Sequence, residues 1–109
     1  MSTIKLYGKE HEMKFSFNSF KYMKEFNFKD LETLEDNPFK LATMLQTLLV
    51  GALNSNPRIK VPEEQVVSYL EEFSKDGDLS DLLSELLDIL QESNFFKSLQ
   101  KTAPETEEN

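Results

Sequence analysis

Residues 38–53 read Pro38-Phe39-Lys40-Leu41-Ala42-Thr43-Met44-Leu45-Gln46-Thr47-Leu48-Leu49-Val50-Gly51-Ala52-Leu53. Asp36-Asn37 precedes them as a helix start, and proline suits the first helical turn because its missing N–H needs no partner there. Apolar residues cover more than one side of this helix. We therefore expect it to be central and buried, and to end at Asn54-Ser55-Asn56-Pro57.

Two further helices are predicted after residue 61. Pro62 opens the first, with Val66, Leu70 and Phe73 on its inward face and glutamates toward water, and Asp76-Gly77-Asp78 ends it. The next begins near Ser80. Residues 79–90 hold seven apolar residues in twelve, more than one helix face needs, so a second apolar surface is expected here. Its candidates are Leu79, Leu87 and Leu90.

The segment before residue 38 is expected to begin with a small β-hairpin. Residues 4–6 and 12–15 alternate apolar with polar around Gly8-Lys9. A lone hairpin must pack on something. The next segment predicts a helix capped by Ser16 or Asn18, and its apolar stripe is assigned mainly to the core: Phe17, Phe20, Met23 and Phe26. Residues 27–37 are polar, with room for one helical turn around residues 31–34.

The chain is predicted to end in a short helix followed by a polar segment. Ser93-Asn94 can cap a helix that holds Phe95, Phe96 and Leu99, whereas residues 102–109 have no apolar periodicity and are expected to be disordered. The fold class is therefore mainly α. We expect one helical domain over residues 1–101, with an N-terminal hairpin and about four to five packed helices.

Composition and charge restrict the function. The chain has no cysteine, no apolar run long enough to cross a membrane, and no apolar secretion signal after Met1, so a cytoplasmic protein is expected. Residues 1–60 carry a net charge of +2 and residues 61–109 carry −10. Phosphate recognition needs clustered cations, so binding to nucleic acid or to a membrane surface is not expected.

The sequence has few residues or motifs suited to catalysis. His11 is the only histidine and is interpreted as an exposed strand residue, and the three glycines are too scattered for a phosphate loop. The loop after Phe73 resembles a calcium loop, but either possible register places Leu79 or Leu87 where coordination requires glycine or glutamate. We therefore predict no enzyme and no cofactor, and ordinary capping is favoured over weak calcium binding.

The remaining candidates are surfaces for another protein. Adjacent residues of a helix point about 100° apart, so one ring of Phe95-Phe96 can enter the core while the other stays outside. An exposed aromatic side chain is a suitable protein-binding anchor. The predicted partner-binding residues are Leu87, Leu90, Phe95, Phe96 and Leu99.

Four stretches in order resemble the small tail assembly chaperones of long-tailed phages that infect Gram-positive bacteria. They are Ile4-Lys5-Leu6-Tyr7-Gly8-Lys9-Glu10, Phe15-Ser16-Phe17-Asn18-Ser19-Phe20-Lys21-Tyr22-Met23, Pro38-Phe39-Lys40, and Ser93-Asn94-Phe95-Phe96-Lys97-Ser98-Leu99. None is a catalytic signature, so the resemblance depends on their order and spacing.

The resemblance implies a mainly helical protein of the host cytoplasm that acts in virion assembly and is absent from the finished particle. Such chaperones bind the tape measure protein, recruit tail tube protein around it, and self-associate into oligomers. In many of them a ribosomal frameshift near the end of the reading frame adds a second domain. Two other classes stay open: an acidic inhibitor or interaction module that mimics nucleic acid, and a small helical protein that binds calcium weakly.

Overall fold

A computed structural model describes residues 2–102 of the chain. Two antiparallel strands, β1 (Thr3–Leu6) and β2 (Lys9–Glu12), precede the helices. The helices are, in chain order, α1 (Phe17–Phe20), a 3₁₀ helix (Phe28–Thr33), α2 (Pro38–Leu53), α3 (Glu63–Asp76), α4 (Leu79–Gln91) and α5 (Asn94–Thr102). The predicted fold class, mainly α with an N-terminal hairpin, is confirmed. Residues 103–109, which make up most of the segment expected to be disordered, lie outside the described residues.

Helix α2 is the centre of the structure, as its sequence predicts. The side-chain oxygen of Asn37 accepts a hydrogen bond from the backbone N–H of Phe39, which caps the helix just before Pro38. The helix packs against α1, α3, α4 and β2. Its second half is buried on all sides from Leu48 to Leu53. The first half is less buried, and Phe39 in its first turn is 80% exposed.

The hairpin turns earlier than predicted. Its two turn residues are Tyr7 (φ 50°) and Gly8 (φ 80°), so β2 already begins at Lys9 and the predicted strand over residues 12–15 is wrong. Two consecutive positive φ angles give the tight turn that matches the strand twist. The chain after β2 is held by Lys14, whose N–H donates to the carbonyl oxygen of Ala52 at 3.1 Å. The hairpin therefore packs on its own chain.

The acidic helices α3 and α4 cover α2. Helix α3 begins after Pro62 and buries Val66, and α4 begins after Asp78, whose carboxylate accepts from the N–H of Ser80. The leucines of α4 that enter the core are Leu82, Leu83, Leu86 and Leu90. Among residues 2–102, no helix combines the length and apolar character that a membrane crossing requires.

Candidate partner-binding surface

Helix α1 is a single turn, and this corrects the predicted position of its phenylalanines. The hydroxyl of Ser16 accepts hydrogen bonds from the N–H groups of Asn18 and Ser19, but the helix ends after Phe20. The predicted stripe therefore breaks up after one turn. Phe17 is 66% exposed and Phe20 is 45% exposed, so their assignment to the core is wrong.

Long-range hydrogen bonds fix this turn on the end of α2. The Ser16 hydroxyl donates to the carbonyl oxygen of Ser55 at 2.7 Å, and the Asn18 amide donates to that of Asn54 at 2.7 Å. Ser19 is fully buried beneath the turn. Because these bonds join the turn to the backbone that follows α2, they fix the position from which the exposed rings of α1 project.

Helix α5 is attached by its own cap. The hydroxyl of Ser93 accepts from the N–H of Phe96 at 3.1 Å and donates to the carbonyl oxygen of Leu90 at 2.6 Å. One side chain thus begins α5 and ties it to the end of α4. The cap predicted at Ser93-Asn94 is confirmed, with Ser93 supplying the oxygen.

The rings of Phe95 and Phe96 contact different sets of aromatic side chains. Phe95 is 8% exposed and belongs to the core. Its ring lies 4.8 Å from that of Phe17, edge to face, and 6.4 Å from that of Phe20. Phe96 is half-buried, and its ring lies 5.8 Å from that of Phe28. The 100° step between adjacent helix positions accounts for this division.

Phe28 belongs to a second group of rings, together with Phe26 and Phe96. Its ring lies 5.0 Å from that of Phe26, edge to face, and Phe28 itself is 38% exposed. A groove of about 520 Å³ runs beside it, lined by Phe28, Gln91, Phe96 and Gln100. The two groups are joined through Phe95 and Phe96, which are neighbours in α5. We call the six rings together the aromatic surface: Phe17, Phe20, Phe26, Phe28, Phe95 and Phe96. It gathers distant parts of the chain around α5.

The predicted partner-binding residues differ in how exposed they are. Leu99 is exposed on α5, and Phe96 and Leu87 are half-buried. Leu90 is only 2% exposed, because its position on α4 faces the core, so the expectation that it lies on a second surface is corrected. Phe95 forms the buried floor of the aromatic surface. Sequence reasoning missed Phe17, Phe20 and Phe28 as exposed members, because their helical spacing is equally typical of a core stripe.

A larger depression lies beside the hairpin. It measures about 770 Å³ and its lining is mostly small polar residues, with Lys14 and Glu92 as the charged ones. His11 is half-buried in β2, not exposed as predicted. Within residues 2–102, no three His, Asp or Glu side chains come together as a set that could hold a metal ion. The aromatic surface is therefore the strongest candidate site in the described part of the chain.

Comparison of the chain with protein-family models, with curated proteins and with solved structures finds no match.

Proposed function

We propose that this protein is a phage tail assembly chaperone, which binds the tape measure protein and recruits tail tube protein in the host cytoplasm. One observation carries the proposal. Two of the four stretches that resemble the family, residues 15–23 and residues 93–99, lie far apart in sequence yet supply four of the six rings of the aromatic surface. A client-binding role explains why these stretches would occur together.

The aromatic surface has the properties that such a role needs. Phe17, Phe20 and Phe28 offer large apolar rings to a partner, while the buried ring of Phe95 supports Phe17 and Phe20 and the half-buried ring of Phe96 supports Phe28. Aromatic side chains in a fixed position bind with little loss of side-chain freedom, and they often dominate binding energy. A chaperone must also stay soluble with such rings exposed, and a net charge of −8 favours this.

The test is co-expression with the tape measure protein encoded by the same phage genome. We expect the chaperone to keep the tape measure protein in the soluble fraction and to co-purify with it. Phe17→Asp should lower the amount that co-purifies about tenfold, because it places a charge where an apolar contact is needed. Light scattering of the purified protein, alone and with client, would follow self-association.

Phe39→Asp is the matched control. Phe39 is also an exposed phenylalanine, 80% accessible, but it makes no ring contact with the other phenylalanines of the described residues. This variant should keep wild-type binding. Circular dichroism must show that both variants stay folded. A tape measure protein that remains insoluble with the wild-type chain would reject the proposed function, and equal losses in both variants would reject the aromatic surface as its site.

A further inference from the structure

Strand β1 pairs with β2 on one side, and no strand lies on its other side within residues 2–102. The hairpin closes with a two-residue turn, so hydrogen-bonded and non-hydrogen-bonded residue pairs alternate away from the turn. The N–H of Met13 donates to the carbonyl oxygen of Ser2 at 2.9 Å in this series. Thr3 and Lys5 lie at the intervening positions, so their N–H and C=O groups point away from β2. These groups form no hydrogen bond within residues 2–102, and we call them the open edge.

A groove of about 180 Å³ lies between this side of the hairpin and helix α3. Leu6 and Tyr7 line it on the hairpin side, and Gln65, Ser68 and Tyr69 line it on the α3 side. Strand β2 supplies no residue to the lining, so the groove lies on the side of β1 that carries the open edge. The side chains of Gln65 and Ser68 make no hydrogen bond within the described part of the chain. They are therefore available to the main chain of a bound segment.

Tyr7 is held in a conformation that its side chain does not favour. Its φ is 50°, in the left-handed region, where this turn usually has Asn, Asp or Gly. The ring is 76% exposed, so packing within the chain does not compensate for the strain. Backbone strain of this kind is concentrated at binding and active sites. Because Tyr7 also lines the groove, we interpret its ring as an anchor for a ligand.

We propose that the open edge and the groove bind an extended segment of another protein. Its main chain would add to the sheet as a third strand, paired with the N–H and C=O groups of Thr3 and Lys5. Side chains alternate between the two faces of a strand, so one of them would enter the groove, where Leu6 and Tyr69 favour an apolar group. The site shares no residue with the aromatic surface, and the proposal is independent of the proposed function.

A second copy of the chain fits this site less well. If β1 pairs antiparallel with itself so that Thr3 lies opposite Lys5, Ser2 lies opposite Leu6, where the groove favours an apolar residue. The next register sets Lys5 opposite Lys5, and like charges directly opposite are unfavourable. Residues 103–109 have no apolar side chain larger than those of alanine and proline, so they also lack the side chain that the groove needs.

A displayed library of random peptides, each about ten residues long, tests for such a ligand. Selection on the immobilised wild-type protein should enrich peptides that place one large apolar residue among residues of high strand propensity. A synthetic, fluorescently labelled copy of the most enriched peptide then serves as the probe, and fluorescence anisotropy measures its affinity. A selection that enriches no peptide would overturn the proposal.

Methylation of the probe's main-chain nitrogens, one at a time, tests strand pairing on the wild-type protein. Only alternate residues of a strand point their N–H groups toward a given neighbour. Methylation at alternate positions should therefore weaken binding about tenfold, and methylation at the positions between them should change it by less than about twofold. Equal effects at all positions, or effects that recur every three to four residues as in a helix, would overturn the proposal.

Proline substitution tests the open edge from the side of the protein. Lys5→Pro removes an outward N–H and no hydrogen bond of the hairpin, so it should weaken the probe about tenfold. Lys5→Ala keeps the N–H and should keep the affinity within about twofold. Glu10→Pro is the matched control, because Glu10 lies directly opposite Lys5 and its N–H points to the far side of β2. Circular dichroism must show that the variants are folded. Equal weakening by the two prolines would overturn the assignment to β1.

Two further measurements separate this site from other surfaces. Phe17→Asp should leave the affinity for the probe unchanged, so loss of client binding and loss of peptide binding are separate results. Weakening of the probe by Phe17→Asp would place the peptide on the aromatic surface and overturn the proposal. Sedimentation equilibrium of the protein alone should give the same mass for the wild type and for Lys5→Pro. An oligomer that dissociates only in Lys5→Pro would assign the open edge to a second copy instead.

Discussion

The ring of Phe17 meets the ring of Phe95 edge to face, with 4.8 Å between ring centres and an angle of 86° between planes. One ring is two-thirds exposed and the other is almost fully buried. Edge-to-face pairing is a favoured aromatic geometry. The contact therefore links the outside of the molecule to its core, and it sets how α1 and α5 together present the aromatic surface.

This contact predicts different roles for its two members in stability. Phe95→Ala should lower the free energy of unfolding by about 3 kcal/mol, since it leaves a cavity beneath the surface rings. Phe17→Ala should cost less than about 1 kcal/mol, because most of that ring is already in water. Urea denaturation followed by circular dichroism measures both. Similar losses for the two variants would show that Phe17 is a core residue in solution.

Asn54 is expected to be essential for the loop after α2. Its buried amide donates to the carbonyl oxygens of Val50 and Val61, and its carbonyl oxygen accepts from the N–H of Val61 at 2.9 Å. Asn54→Ala leaves buried backbone groups without partners, so we expect a loss of about 2–4 kcal/mol in urea denaturation. Asn56→Ala is the control, because Asn56 is exposed and caps only the N–H of Arg58.

Gly51 allows the chain after α1 to approach α2 closely. A Cβ atom there would lie 2.6 Å from Cγ and 2.7 Å from Sδ of Met23, whose side chain is buried. Gly51→Ala gains about 1 kcal/mol of helix propensity. We expect the overlap to outweigh this and the variant to be destabilised by about 1–2 kcal/mol.

A Met23→Ala background separates the gain in helix propensity from the overlap with Met23 in Gly51→Ala. In a Met23→Ala protein the overlapping atoms are gone, so adding Gly51→Ala should be neutral or stabilising. Thermal or urea unfolding of the four proteins in this cycle gives the coupling. Equal effects of Gly51→Ala in both backgrounds would show that Met23 is not what limits the position.

Tyr69 should make stability fall at alkaline pH. Burial, with a smaller contribution from the carboxylate of Glu85, raises the pKa of its phenol above the ordinary value of 10.0. The folded state then holds the proton more tightly than the unfolded state. The resulting stability is fully present below pH 10 and is lost as the pH rises through the raised pKa.

The measurement is urea denaturation between about pH 8 and pH 11. Tyr69→Phe should lose less stability over this range than the wild type, and it should keep the stacking on Phe73, whose ring lies 5.9 Å from that of Tyr69. Tyr7→Phe is the control, since Tyr7 is exposed, and it should follow the wild type. If the stability of Tyr69→Phe fell with pH as steeply as that of the wild type, Tyr69 would not be the cause of the alkaline loss.

Local sequence was sufficient for the positions of the longer helices and for most of their starts. Pro38 after Asn37, Pro62 and Ser93 lie at or beside helix starts as predicted, because capping depends on groups within a few residues of one another. Asp78 was predicted only as part of the stop of the preceding helix, and it caps α4. The buried character of α2 was also readable, since its apolar residues leave no side for water. These features need no knowledge of which segments meet.

The exposure of each phenylalanine could not be read in the same way. Phe17 has the spacing of a core residue, yet it is exposed because α1 stops after one turn and the buried place beside it is taken by Phe95. Similarly, the leucine surplus of α4 did not show that Leu90 would be buried. Such outcomes depend on contacts between segments far apart in sequence. The local spacing of apolar residues is the same whether such a contact buries a side chain or leaves it exposed.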